Sequence, residues 1–184
     1  VKTYISTENI LQNCSGVKPY VGMPNIDKIT EYHKNDILVS NIRPYLKKIW
    51  LAEYDGGCSN DVLVFRNERV NEILNDYLFE VLSSDIFFEY MMVGKTGIKM
   101  PRGDKLSIPN FEIPLPPMDI QKKIVEECEK IDQVVTKNKE MIREMQTNME
   151  AIISSLEGLR QPLKTIMCYG KERISYSAIT PETY

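Results

Sequence analysis

Two short stretches gather cations in a chain of 184 residues whose formal net charge is −3. Asn41 to Trp50 carries Arg43, Lys47 and Lys48 beside Tyr45 and no acid; Gly94 to Lys105 carries Lys95, Lys99, Arg102 and Lys105 against Asp104 alone. Ammonium and guanidinium groups neutralise phosphates, while forked guanidinium, amide and hydroxyl groups can read base edges. Ser59 and Asn60 add such donors and acceptors. Lys95, Thr96, Gly97, Lys99 and Arg102 share a loop that glycine lets approach a polyanion closely. Exposed Lys and Arg are also the commonest surface residues, so plain solvated loops are the alternative reading.

Chemistry of other kinds finds little support. Gly94-Lys95-Thr96-Gly97 lacks the upstream glycine and spacing of a phosphate-binding loop. Leu115-Pro116-Pro117-Met118 shares only its prolines with the motif of amino-methyltransferases and lacks the polar residue that would meet a target amine. His33 is the one imidazole, and neither a nucleophile elbow nor a papain-like cysteine context accompanies it. Cys14, Cys58, Cys128 and Cys168 are scattered, without a CxxC pair, which fits reduced structural thiols and makes a zinc site improbable. No catalytic or metal-binding set is expected.

The elements that must position the cationic stretches follow from pattern. Hydrophobic residues at 42% and charged residues at 27% are globular proportions, and no apolar run approaches the roughly 18 residues of a membrane span. A cytoplasmic location is therefore expected. Ile37-Leu38-Val39-Ser40, Lys48 to Ala52 and Val62 to Phe65 read as strands, with Asp55-Gly56-Gly57 as a turn. Apolar spacing from about Val70 to Met92 predicts helix, with a break near Ser83-Ser84, and Leu106 to Leu115 reads as extended. Pro114-Leu115-Pro116-Pro117 forms a stiff strut, because proline fixes φ and bars a helix arriving from upstream. It divides a globule at 1–117 from a helix at 118–162 and a tail at 163–184.

That helix holds the most regular pattern in the chain. Ile124, Cys128, Ile131, Val135, Asn138, Ile142, Met145, Met149, Ile152, Leu156 and Leu159 follow an unbroken 4-3 spacing, and only Asn138 is polar. So narrow a seam, kept over five heptads, predicts a coiled coil, since a helix lying on a globule shows a broader apolar face. Asn138 either fixes register with a partner or sits at a gap in the pairing. Asp119 suits the helix start and Arg160-Gln161-Pro162 its end.

Several stretches, in order, resemble the specificity subunits of type I restriction-modification systems. They are Ile5-Ser6-Thr7-Glu8-Asn9-Ile10-Leu11, Asn35-Asp36-Ile37-Leu38-Val39-Ser40 with Ile42-Arg43-Pro44-Tyr45-Leu46-Lys47-Lys48, Gly57-Cys58-Ser59-Asn60-Asp61-Val62, Gly94 to Leu106, and Ile113 to Met118 with Gln121 and Ile124. Asn35 stands where that family usually has glycine. The resemblance implies an α+β chain: a mixed α/β target recognition globule, then a long helix pairing antiparallel with a partner helix. It further implies one unit where family members carry two, and so a homodimer through the long helix. The implied partners are double-stranded DNA, DNA methyltransferase subunits and restriction subunits. This chain would be non-catalytic and hold no cofactor, while partner subunits use S-adenosylmethionine, ATP and Mg2+. The tail Ile174 to Tyr184 resembles what precedes the Ile5 segment in the family, and would complete this globule or a neighbour's. A coiled-coil scaffold without DNA contact is the alternative reading.

Overall fold

The computed structural model describes residues 3–22, 28–93, 97 and 100–156. Its elements are β1 (Tyr4–Ile5), β2 (Thr30–Tyr32), β3 (Ile37–Ser40), β4 (Ile49–Leu51), β5 (Gly56–Cys58), β6 (Val62–Phe65), α1 (Asn75–Ser83), α2 (Asp85–Val93) and α3 (Met118–Ser155). The α+β class is as expected, with three of its strands where the alternating runs put them. One compact unit spans Val1–Gln133 and a second Val134–Tyr184.

The strands form two three-stranded sheets, ordered β1-β5-β2 and β4-β3-β6. In the second, β3 is central and antiparallel to both neighbours, pairing Val39 with Ile49 on one side and with Leu63 on the other. All four β3 residues are buried. Successive side chains of a strand point to opposite faces, so Leu38 enters a core with Ile5, Ile10, Tyr32, Trp50 and Cys58. Ile37 and Val39 enter another with Leu82, Phe87, Phe88, Met91 and Ile108. Each large side chain so buried contributes about 1.5 to 3 kcal/mol, and β3, which feeds both clusters, joins the two halves of the core.

Two local readings need correction. Gly56 and Gly57 form strand β5, between β1 and β2, instead of a turn. Gly56 is there for space: a Cβ would lie 2.5 Å from Tyr32 Oη and closer still to Thr3 Oγ1. Leu106 to Leu115 pairs with no strand among the described residues; Pro109 lies in a single 3-10 turn, Ile108–Asn110, whose Ile108 plugs the second core. The expected break at Ser84 is present. Its backbone is extended, its hydroxyl donates to the Val81 carbonyl at 2.7 Å and accepts from the Phe87 N–H at 3.4 Å, so one serine closes α1 and caps α2.

α3 begins at the proline strut, with the Ile120 and Gln121 amides donating to the Pro117 carbonyl and Asp119 in the first turn, where the helix dipole favours an anion. Gln121 is completely buried. Its carboxamide donates to the Glu72 and Pro116 carbonyls, both at 2.8 Å, and accepts from the Leu74 N–H at 2.9 Å, tying the helix start to the residue that caps α1. Tyr77 Oη donates to the Pro114 carbonyl at 3.0 Å and fixes the strut itself. Among the described residues no helix is long and apolar enough to cross a membrane.

Candidate nucleic-acid interface

Segments from three parts of the chain meet at one corner of the globule. The loop after β3 places Arg43 in the left-handed region, then turns through the short 3-10 segment Pro44–Leu46 to a second left-handed residue, Lys47. Asn41, Gly103 and Asp61 brace it. The Asn41 amide donates to the Asp61 carbonyl at 2.8 Å, its side-chain Nδ2 donates to the Gly103 carbonyl at 3.1 Å, and the Arg43 amide donates to the Pro101 carbonyl at 2.8 Å. A Cβ on Gly103 would lie 3.0 Å from Asn41 Oδ1 and 3.2 Å from the Met91 carbonyl, so the loop end packs close against both α2 and Asn41.

A hairpin closes the other side of the corner. Ile10 bridges Val17, and the turn between them runs through Asn13 and Cys14, both left-handed. The Asn13 and Cys14 amides donate to the Leu46 and Lys47 carbonyls at 3.0 and 2.9 Å, so the turn docks directly on the cationic loop. Non-glycine residues avoid this backbone region, at a cost of about 1 kcal/mol or more each. Among the described residues five adopt it, and four of them, Asn13, Cys14, Arg43 and Lys47, are at this corner. Backbone strain concentrated in one place marks a functional surface more often than a structural one.

The expected contact residues fare differently. Arg43 is exposed and makes no ion pair among the described residues, and Tyr45 is 52% exposed beside it. Lys47 pairs with Asp85 of α2. Lys48 is half-buried, and its ammonium donates to the Thr7 carbonyl at 2.8 Å. Burial holds that ammonium below the usual lysine range; nearby Lys18 and Arg43 push the same way, against Glu8. Arg102 forks onto Asp61 at 3.2 and 3.3 Å. The Ser59 hydroxyl accepts from the Asp61 amide, and Asn60 receives Thr30 Oγ1 on its side chain and Lys105 Nζ on its carbonyl, at 3.3 and 2.7 Å. Gly97 has a φ of 85°, as a glycine-flexed loop requires. Lys95, Thr96 and Lys99 lie outside the described residues.

Sequence reading therefore found the cationic loop but missed what holds it. Asn41, Asp61 and Gly103 lie inside the stretches singled out in the sequence, but residue type alone does not show that they bond to one another, and the Ile10–Val17 hairpin contains too few paired residues to show alternation. Among the described residues no cluster of His, Cys, Asp or Glu could hold a metal ion. His33 lies 3.8 Å from Asp55 on the surface.

On α3, the seam residues from Ile124 to Ile152 are helical, and Leu156 lies in the turn that follows; Leu159 falls outside the described residues. Cys128 is half-covered, and its thiol is held above the usual range by burial and by Glu80 of α1. Ile131, Ile142, Met145, Met149, Ile152 and Leu156 are all at least half exposed, a row of apolar side chains on the surface of a single chain.

A family model described as the type I restriction modification DNA specificity domain matches residues 1–145. The chain belongs to this family. It is 27% identical over 101 residues to the type I restriction enzyme EcoDI specificity subunit of Escherichia coli, a match covering 55% of this chain and 22% of that protein. In fold it resembles the HsdS subunit from Thermoanaerobacter tengcongensis, with a TM-score of 0.65, 23% identity, and coverage of 83% of this chain and 41% of the other. It also resembles a chain from a structure on complex assembly and conformational transition of the type I R-M system, with a TM-score of 0.69, 21% identity, and coverage of 95% and 45%. The chain thus spans under half the length of each.

Proposed function

We propose that this chain reads one half of a two-part duplex DNA target and pairs with a second copy through the exposed seam of α3. The observation that carries the reading is the strained corner where Arg43 and Tyr45 are exposed beside the half-buried Lys48, in a chain of a DNA specificity family. Arg43, without an acid partner among the described residues, supplies a fork for a base edge or phosphate, and Tyr45 an aromatic face. Lys95, Thr96, Gly97, Lys99 and Arg102, from the stretch 94–105, would be the second set of contact residues. The remaining partners are methyltransferase subunits docking on the paired unit, with restriction subunits joining them. Methyl transfer and nuclease chemistry, with S-adenosylmethionine, ATP and Mg2+, belong to those partners, and this chain is non-catalytic.

α3 is 38 residues long, about 57 Å at 1.5 Å per residue. Two such helices, packed antiparallel, would set a fixed gap between two-fold related half-sites. One observation favours a scaffold without DNA contact: Lys47 and Arg102 are already paired with acids. Charge reversal separates the two readings. Arg43→Glu with Lys48→Glu should abolish duplex binding, measured by fluorescence anisotropy, with the oligomeric mass unchanged; retention of DNA affinity would favour the scaffold.

A further inference from the structure

We propose that Lys18, on the far side of the Ile10–Val17 hairpin, is a phosphate-contacting residue that acts with Arg43 and Lys48 as one anion site for the DNA backbone. The inference rests on the DNA-reading function proposed above and extends the interface to a segment with no cationic motif in its sequence.

The hairpin puts Lys18 there by a closed set of hydrogen bonds. The Lys18 amide donates to the Asn9 carbonyl at 2.9 Å, and Asn9 Nδ2 donates back to the Lys18 carbonyl at 3.2 Å. Asn9 is itself buried, and its Oδ1 accepts from the Ser6 amide at 2.9 Å and the Ser6 hydroxyl at 2.6 Å. Lys48 reaches the same turn from the other side through the Thr7 carbonyl. The backbone of Lys18 and the ammonium of Lys48, from segments thirty residues apart, are thus both held to the turn at 7–9, with Arg43 on the loop that the hairpin tip grips. These hydrogen bonds hold both lysine-bearing segments, which leaves the exposed Lys18 side chain able to reach the same anion as Lys48.

Lys18 and Arg43 both bear on the half-buried Lys48 as like charges, opposed by Glu8. A phosphodiester would add a second anion to Glu8 there, together with acceptor oxygens for the ammonium and guanidinium donors. The strained turn at Asn13 and Cys14 fits the same account, because its amides are spent on gripping Leu46 and Lys47 and thereby hold the hairpin against the loop. A phosphate contact carries no base information, so Lys18 would strengthen binding to every sequence alike.

The test is the salt dependence of binding to a short duplex of arbitrary sequence by the full chain, with thermal melting as the control on folding. Lys18→Ala should lower the slope of log affinity against log salt by roughly 0.9, the loss of one neutralised phosphate, and weaken binding several-fold at low salt. Lys18→Arg should restore both, and Glu8→Gln should tighten binding. Lys34→Ala, on the turn between β2 and β3, should change neither. If Lys18→Ala keeps the wild-type slope and affinity while Arg43→Ala lowers both, the Lys18 site is overturned and DNA reading stands. If wild type itself binds without salt dependence, the DNA reading falls and this site with it.

Discussion

Replacing Gln121 with alanine tests how the recognition globule is tied to its long helix. The side chain is fully buried and makes three hydrogen bonds of 2.8 to 2.9 Å, to Glu72, Leu74 and Pro116. Alanine leaves one buried N–H and two carbonyls without these partners, at about 1 kcal/mol for each lost bond, so the total is about 3 kcal/mol. With a urea m-value of about 2 kcal/mol/M, the unfolding midpoint should fall by about 1.5 M. Trp50, the one tryptophan and 5% exposed, reports the transition by fluorescence. Gln121→Glu should be as harmful at neutral pH, because a carboxylate then faces two carbonyl oxygens, and should recover partly in acid as one donor returns. A midpoint for Gln121→Ala within about 0.3 M of wild type would refute the reasoning.

Other expectations follow from single contacts. Asp36 is buried and takes a bidentate pair from Arg66 at 2.9 and 2.7 Å, plus the His33 amide at 2.8 Å. Burial alone would raise its carboxyl, but these bonds outweigh it and hold it below the usual carboxylate range. The stabilisation is therefore present above the unfolded carboxylate value and is lost as pH falls through the folded one. Asp36→Asn should flatten the acid limb of stability against pH; an unchanged acid limb would contradict the pairing. Gly56→Ala should cost about 1 to 3 kcal/mol by crowding Thr3 and Tyr32, read by thermal melting. The paired substitution of Ile142 and Met149 by aspartate should yield monomers in sedimentation, and an unchanged mass would sink the seam.

Much of this architecture was legible because its signals are local. The 4-3 seam from Ile124 onward repeats often enough to name a helix and its narrow apolar face without any tertiary information. Strands β3, β4 and β6 are rich in β-branched and large apolar residues, and Ser83-Ser84 interrupts a helical period visibly. What was missed depends on distance. Gly56-Gly57 resembles a turn because the reason for its glycine lies in Thr3 and Tyr32, twenty or more residues away. Strands of two or three residues, such as β1 and β2, are too short for a period. Leu106 to Leu115 has extended composition, yet no described strand offers it a partner edge, and Ile108 is drawn into the core instead.

The site shows the same division. Composition drew attention to Arg43, Lys47, Lys48 and Arg102, but it cannot say which cations are already spent on acids. Asp61 and Asp85 settle that for Arg102 and Lys47, and both are distant in sequence. Lys18 had no cationic neighbour in sequence and joins the others only through the fold. The left-handed backbone at Asn13, Cys14, Arg43 and Lys47 is likewise invisible in residue type, since none is glycine.

Selection from a randomised duplex pool tests the central claim most directly, using the full chain assembled with methyltransferase subunits. The account predicts recovery of one short motif present as two-fold related halves at a fixed separation, lost on Arg43→Glu with Lys48→Glu. A recovered pool without a motif, or the same motif retained by that double variant, would contradict it.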